Sequence, residues 1–123
     1  RHTRFKCDWS SDVCSSDLSA ISGSLGVAPG GNINPERTTP SMFEPIHGSA
    51  PDIAGKGIAN PIAAIWAGAM MLDHLGERAA HDSILAAIER VIGDETVKTP
   101  DLGGKATTAD MTKAVTSALL GSK

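Results

Sequence analysis

Asn60-Pro61 is followed by apolar residues at helical spacing, Ile62, Ile65, Trp66, Ala69, Met70 and Leu72, and then by Gly76. Asparagine is a favoured N-cap, proline is pre-set for the first helical position, and glycine readily takes the left-handed conformation that ends a helix. These residues predict a helix with a broad face that has to be buried. Little aromatic material is at hand to cover it, because the 123 residues include no Tyr, two Phe and two Trp. The core must be drawn from Ile, Leu, Val, Met and Ala, which is thin for an independent fold.

Two further helices are expected. One runs from about Ala79 to Ile92, with Ile84, Leu85, Ile88, Val91 and Ile92 on one face and Gly93 after it. The other starts at Thr107-Thr108-Ala109-Asp110, a T-x-x-D capping pattern, and carries Met111, Ala114, Val115, Ala118 and Leu119 at helical spacing. Between and before the helices, Ser41–Ile46 and Val97–Thr99 read as short strands. Leu25–Ala28 reads as an apolar patch entering a turn at Pro29-Gly30-Gly31. Residues 32–40 and 47–60 read as loops. Helices alternating with short strands point to part of an α/β domain whose first strands are missing.

Composition excludes several functions. Eleven Lys+Arg against 14 Asp+Glu leave a net charge of −3, with no basic excess to recruit nucleic acid or an anionic membrane. The longest apolar stretch, Pro61–Leu72, falls short of the roughly 20 residues that a bilayer span needs. Residues 1–18, RHTRFKCDWSSDVCSSDL, have neither helical nor strand periodicity and no apolar core of a signal peptide. They back-translate codon by codon into a sequencing-library adapter, with Phe5, Lys6 and the first base of Cys7 where an index would lie. This segment is expected to be a non-native leader. Cys7 and Cys14 both fall inside it, so residues 19–123 are cysteine-free and suit a reducing cytoplasm.

Two phosphate motifs fail on inspection. Gly55-Lys56-Gly57 lacks the third glycine of a Rossmann fingerprint, and Gly103-Gly104-Lys105 is followed by Ala106 where a P-loop needs Ser or Thr. The four His residues show no metal-ligand spacing. One dense constellation remains, Glu44-Pro45-Ile46-His47-Gly48-Ser49-Ala50-Pro51-Asp52-Ile53, running on through Gly55 and Gly57 to Asn60. Such a stretch gathers backbone N–H groups, an imidazole, a hydroxyl and carboxylates before a helix start. Read from its residues alone, it is either a structural loop with Asn60 as a plain cap or a binding loop.

GSLGVAPGGNINPER, PSMFEPIHGSAPDIAGKGIANPIAAIWAGAMMLDHLGE and KTPDLGGKATTADM closely resemble the C-terminal part of the isocitrate/isopropylmalate dehydrogenase family of β-decarboxylating dehydrogenases. Within it, Asn-Pro-Glu-Arg, AIWAGAMMLD and AHDSILAAIERVI look most like the branch acting on tartrate or D-malate. The resemblance implies an α/β fold of the isopropylmalate dehydrogenase type, distinct from a Rossmann domain, with residues 19–123 as part of its large NAD-binding domain. It implies that His47, Gly48, Ser49 and Ala50 lie along the adenosine and phosphates, and that Ile53 packs on the adenine. Asn60 would bond the adenine edge, and Glu44 would face the nicotinamide ribose. Asp52 would accept from the adenosine ribose hydroxyls, and a carboxylate there disfavours a 2′-phosphate, which favours NAD over NADP.

The implied reaction is hydride transfer from a 2-hydroxy dicarboxylate to NAD, then loss of carbon dioxide, with Mg or Mn as Lewis acid. The resemblance places the substrate arginines, the Tyr and Lys acid/base residues and the metal-binding aspartates upstream, so no catalytic or metal residue is assigned here. Asp17, in Ser16-Asp17-Leu18, mimics a metal motif, but its spacing to Gly23 is one residue short and the adapter accounts for it. The expectation is a partial, inactive and poorly folded enzyme, homodimeric when whole, with Ile62, Ile65 and Leu72 left without partners. A 3-isopropylmalate dehydrogenase and a non-catalytic nucleotide-binding module are the alternatives.

Overall fold

The computed structural model describes residues 26–94 and 96–121. The expected leader, with Asp17 and both cysteines, lies outside the described residues.

Strands β1 (Pro29–Asn32) and β2 (Met42–Pro45) form an antiparallel pair in the register Pro29↔Pro45, Gly30↔Glu44, Gly31↔Phe43 and Asn32↔Met42. β2 falls where a strand is predicted. β1 does not: Pro29-Gly30-Gly31, expected as a turn, is itself the strand. Pro29 is its first residue, where a missing N–H costs least. At Gly31 an added Cβ would press on the Phe43 ring and Met70 Cε, both 3.3 Å away, so the glycine lets the hairpin lie close against the helix behind it. The predicted loop between the strands is organised by Asn34, whose Nδ2 donates to Thr38 Oγ1, Thr39 O and Thr39 Oγ1.

Helices α1 (Ile62–His74), α2 (Arg78–Gly93) and α3 (Thr108–Leu120) stand within a residue or two of their predicted limits. Gly76 ends α1 at φ 95, with Gly76 N–H donating to Asp73 O and Glu77 N–H to Leu72 O. This is the two-bond Schellman closure that a glycine permits. Arg37 Nη2 donates to His74 O at 2.8 Å, bringing a cation to the negative end of the α1 dipole. Thr107 and Asp110 form the capping box that their spacing predicts: Asp110 N–H donates to Thr107 Oγ1 at 3.1 Å, and Thr107 N–H to Asp110 Oδ2 at 2.9 Å.

The three helices enclose the core, in which Ile62, Ala87, Ile88, Val91, Met111 and Val115 are buried. Three expectations need correcting. Ile62 is fully buried at the centre of this core, with Ile65 packed beside it and Leu72 half-buried, so Ile62 is not an orphaned face. Ile92 is exposed, because α2 turns it outward near its end and Ala87 takes a core position instead. Val97–Thr99 forms no strand; it passes in extended coil into a 3-10 turn at Pro100–Leu102, with no neighbouring strand to pair among the described residues.

Candidate functional site

Residues 46–60 leave β2 and return to α1 as an ordered loop. Ile46 N–H donates to Ala28 O, continuing the hairpin by one bond. His47 Nδ1 lies 3.0 Å from Gly48 O, and the tautomer with its proton on Nδ1 donates to that carbonyl. Ala50 has φ 42 and ψ 63, a left-handed conformation uncommon for a residue with a Cβ, and it opens the short 3-10 turn Pro51–Ile53. Ile53 N–H then donates to Ala50 O and Lys56 N–H to Ile53 O, so the loop carries its own hydrogen-bonded frame.

The far end of the loop is fastened to the rest of the molecule. Thr108 donates twice, through N–H to Gly57 O at 2.8 Å and through its hydroxyl to Ala59 O, pinning the loop to the start of α3. Asn60 Oδ1 accepts from Ile62 N–H at 3.0 Å, while Asn60 Nδ2 donates to Asp101 Oδ2 at 3.0 Å. The predicted cap is therefore present, reaching the N–H two residues ahead. Gly26 O accepts from Ala63 N–H, which satisfies another donor at the helix start.

These attachments shape an open groove of about 1000 Å³. Of the residues singled out in the sequence, His47, Gly48, Ser49, Ala50, Ile53 and Asn60 line it, whereas Glu44 and Asp52 do not. Asp52 is exposed in the 3-10 turn beside the groove, and Glu44 is exposed on β2 opposite Gly30. Ile46, Ile53 and Ile58 give the groove apolar surface, and the Gly-rich loop gives it backbone groups. A planar base packed on aliphatic carbon, with a polar tail along the loop, matches that division.

Sequence reasoning missed Gly26, Pro100, Asp101 and Thr108, which complete the wall. Asp101 carried no signal, since its neighbour Asn60 is 41 positions away. Lys98, Gly103, Gly104 and Lys105 line a separate, smaller cleft of about 550 Å³. There an added Cβ on Gly104 would overlap the Lys98 carbonyl, so this glycine serves close packing rather than a phosphate loop.

A profile of the isocitrate/isopropylmalate dehydrogenase family matches residues 8–115. The chain belongs to this family. A probable tartrate dehydrogenase/decarboxylase of Agrobacterium vitis is 58% identical over 111 residues, covering 90% of this chain and 31% of that protein. The D-malate dehydrogenase [decarboxylating] of Escherichia coli (strain K12) is 56% identical over 114 residues, covering 89% and 31%. Among solved structures, a β-decarboxylating dehydrogenase from Thermococcus kodakarensis in its apo form aligns with a TM-score of 0.78 at 43% identity, covering 89% of this chain and 31% of that one. The isocitrate dehydrogenase of Methylococcus capsulatus aligns with a TM-score of 0.76 at 47% identity, covering 82% and 30%. The chain thus has the family fold in part, spanning about 31% of the curated relatives it matches.

Proposed function

We propose that this chain is the dinucleotide-holding part of an NAD-dependent oxidative decarboxylase acting on a 2-hydroxy dicarboxylate, D-malate or tartrate. One observation carries this reading: His47, Gly48, Ser49, Ala50, Ile53 and Asn60 come together along one groove of a size that suits a nucleotide. The adenine lies on Ile53 and Ile58, the loop backbone from Gly48 to Ala50 follows the sugar and phosphates, and Asn60 meets the base edge. Asp52 and Glu44 act from outside the groove, Asp52 toward the adenosine ribose and Glu44 toward the nicotinamide ribose. A carboxylate at Asp52 repels a 2′-phosphate, which is the basis for preferring NAD.

When bound, NAD takes the hydride from the substrate; this chain's residues bind and orient the cofactor's adenosine half. Among the described residues no three His, Cys, Asp or Glu side chains converge to hold a metal. In this reading the Mg or Mn ligands, like the acid/base residues, belong to the rest of the enzyme. The whole enzyme is read as a cytoplasmic homodimer, and no described helix is long and apolar enough to cross a membrane.

The test is a titration of the 123-residue chain with AMP and with adenosine 2′,5′-bisphosphate, followed by backbone amide shifts. AMP is expected to bind in the millimolar range, about −4 kcal/mol, since it fills only part of a cofactor site. Its shifts should concentrate between Ile46 and Asn60 and at Asp101, with the 2′-phosphate weakening binding several-fold. Shifts scattered over the helix surfaces would remove the support for this reading.

A further inference from the structure

α1 differs from its neighbours in what it turns outward. The exposed residues of α2 include Asp82, Ser83, Glu89 and Arg90, and those of α3 include Thr112, Lys113, Thr116 and Ser117, as expected of helices with one wet side. α1 has polar side chains only at Asp73 and His74, both in its last turn. Its outward line, Ala64, Gly68 and Met71 with Leu75 just beyond the helix end, is spaced for a single face and carries no charge. Met71 is 43% exposed and Leu75 62%. A helix that is apolar on every side belongs inside a larger structure. Gly68 adds a separate sign. Glycine is a poor helix former, yet an added Cβ here would meet nothing within 4 Å, so no packing among the described residues asks for one. A glycine in mid-helix is explained when another backbone approaches it closely.

We propose that this face of α1 is the seat of an aliphatic element from the part of the family fold that the 123 residues do not span. There is ample fold to supply it, because the chain covers 31% of the D-malate dehydrogenase it matches. Within this chain α1 packs on α2 and on the β1–β2 hairpin, which leaves the outward line open. Ala64 and Gly68 let the incoming backbone come close, and Met71 and Leu75 flank it with flexible apolar surface. The inference rests on family membership and not on the adenosine reading of the groove.

The experiment places Gly68→Leu in two settings. One is the 123-residue chain; the other is the Escherichia coli D-malate dehydrogenase [decarboxylating] with its matched 114 residues replaced by those of this chain. In the chain alone, far-ultraviolet circular dichroism should show helicity unchanged or raised, since leucine is the better helix former and enters open space. In the hybrid enzyme the same leucine meets the seated element, and the melting temperature should fall by about 5 °C or more. Should Gly68→Leu leave no folded hybrid, Gly68→Ala gives a smaller step in the same direction. A purely local role for Gly68 moves both settings alike, and equal effects overturn the inference. So does an unsubstituted hybrid that never folds, because a face shaped for that neighbour should accept it at 56% identity. A 123-residue chain that sediments as a dimer and becomes monomeric on Gly68→Leu also overturns it, by making a second copy the occupant.

Discussion

Gly26 shows how little freedom the groove wall leaves. A Cβ there would lie 2.6 Å from Asp101 Oδ2 and 2.8 Å from Asn60 Cβ, closer than atoms pack without movement. Neither neighbour can yield freely, since Asn60 is tied to Ile62 and Asp101 to Thr99. Gly26→Ala is therefore expected to cost about 1–3 kcal/mol, as overpacking of a tight site does, and to reduce AMP binding. Gly48 lines the same groove with open space around it. Gly48→Ala should change stability by no more than about 0.5 kcal/mol. Urea denaturation of the two variants side by side checks both values. The contrast was hidden in the sequence, where the two glycines look equally like loop punctuation. What separates them is a carboxylate brought in from position 101, and no local pattern reports it.

The helices were readable from their residues because the signals that end them are local. Gly76 closes α1 within six residues, and Thr107 with Asp110 opens α3 within four. The strands were read less well. β1 forms through Pro-Gly-Gly because β2 lies opposite to pair with it, and Val97–Thr99 stays coil because no described strand does. Both outcomes depend on a partner rather than on propensity. The α3 cap supports two predictions. Thr107→Ala should destabilise the chain by about 1 kcal/mol through loss of the N-cap, measured by chemical denaturation. Hydrogen bonds from the Thr107 hydroxyl and then its N–H hold the Asp110 carboxyl below its usual range. A depressed value in the folded state means that the cap's support is complete above the ordinary carboxylate range and is lost as pH falls through the lowered value. An acid titration followed at the Thr107 amide should show this late protonation, and Asp110→Asn should abolish it.

Three helices around one small aliphatic cluster leave a modest margin, because a core of this size supports only a few kcal/mol. Ile62 touches the problem directly, being fully buried where α1 meets its neighbours. Ile62→Ala is expected to cost about 2–5 kcal/mol, enough to erase a cooperative thermal transition in so small a domain. Leu75, 62% exposed beyond the end of α1, should tolerate alanine with the transition unchanged. Circular dichroism melts of both variants check the pair. The groove adds a condition of another kind, since its walls come from position 26, from 46–60 and from 100–108. On a ribosome the hairpin and α1 leave the exit tunnel before Asp101 and Thr108 do. The site therefore has no existence on the growing chain, and a nucleotide present in the cell cannot guide those early steps. It can only reward a polypeptide that has already come back to close the wall.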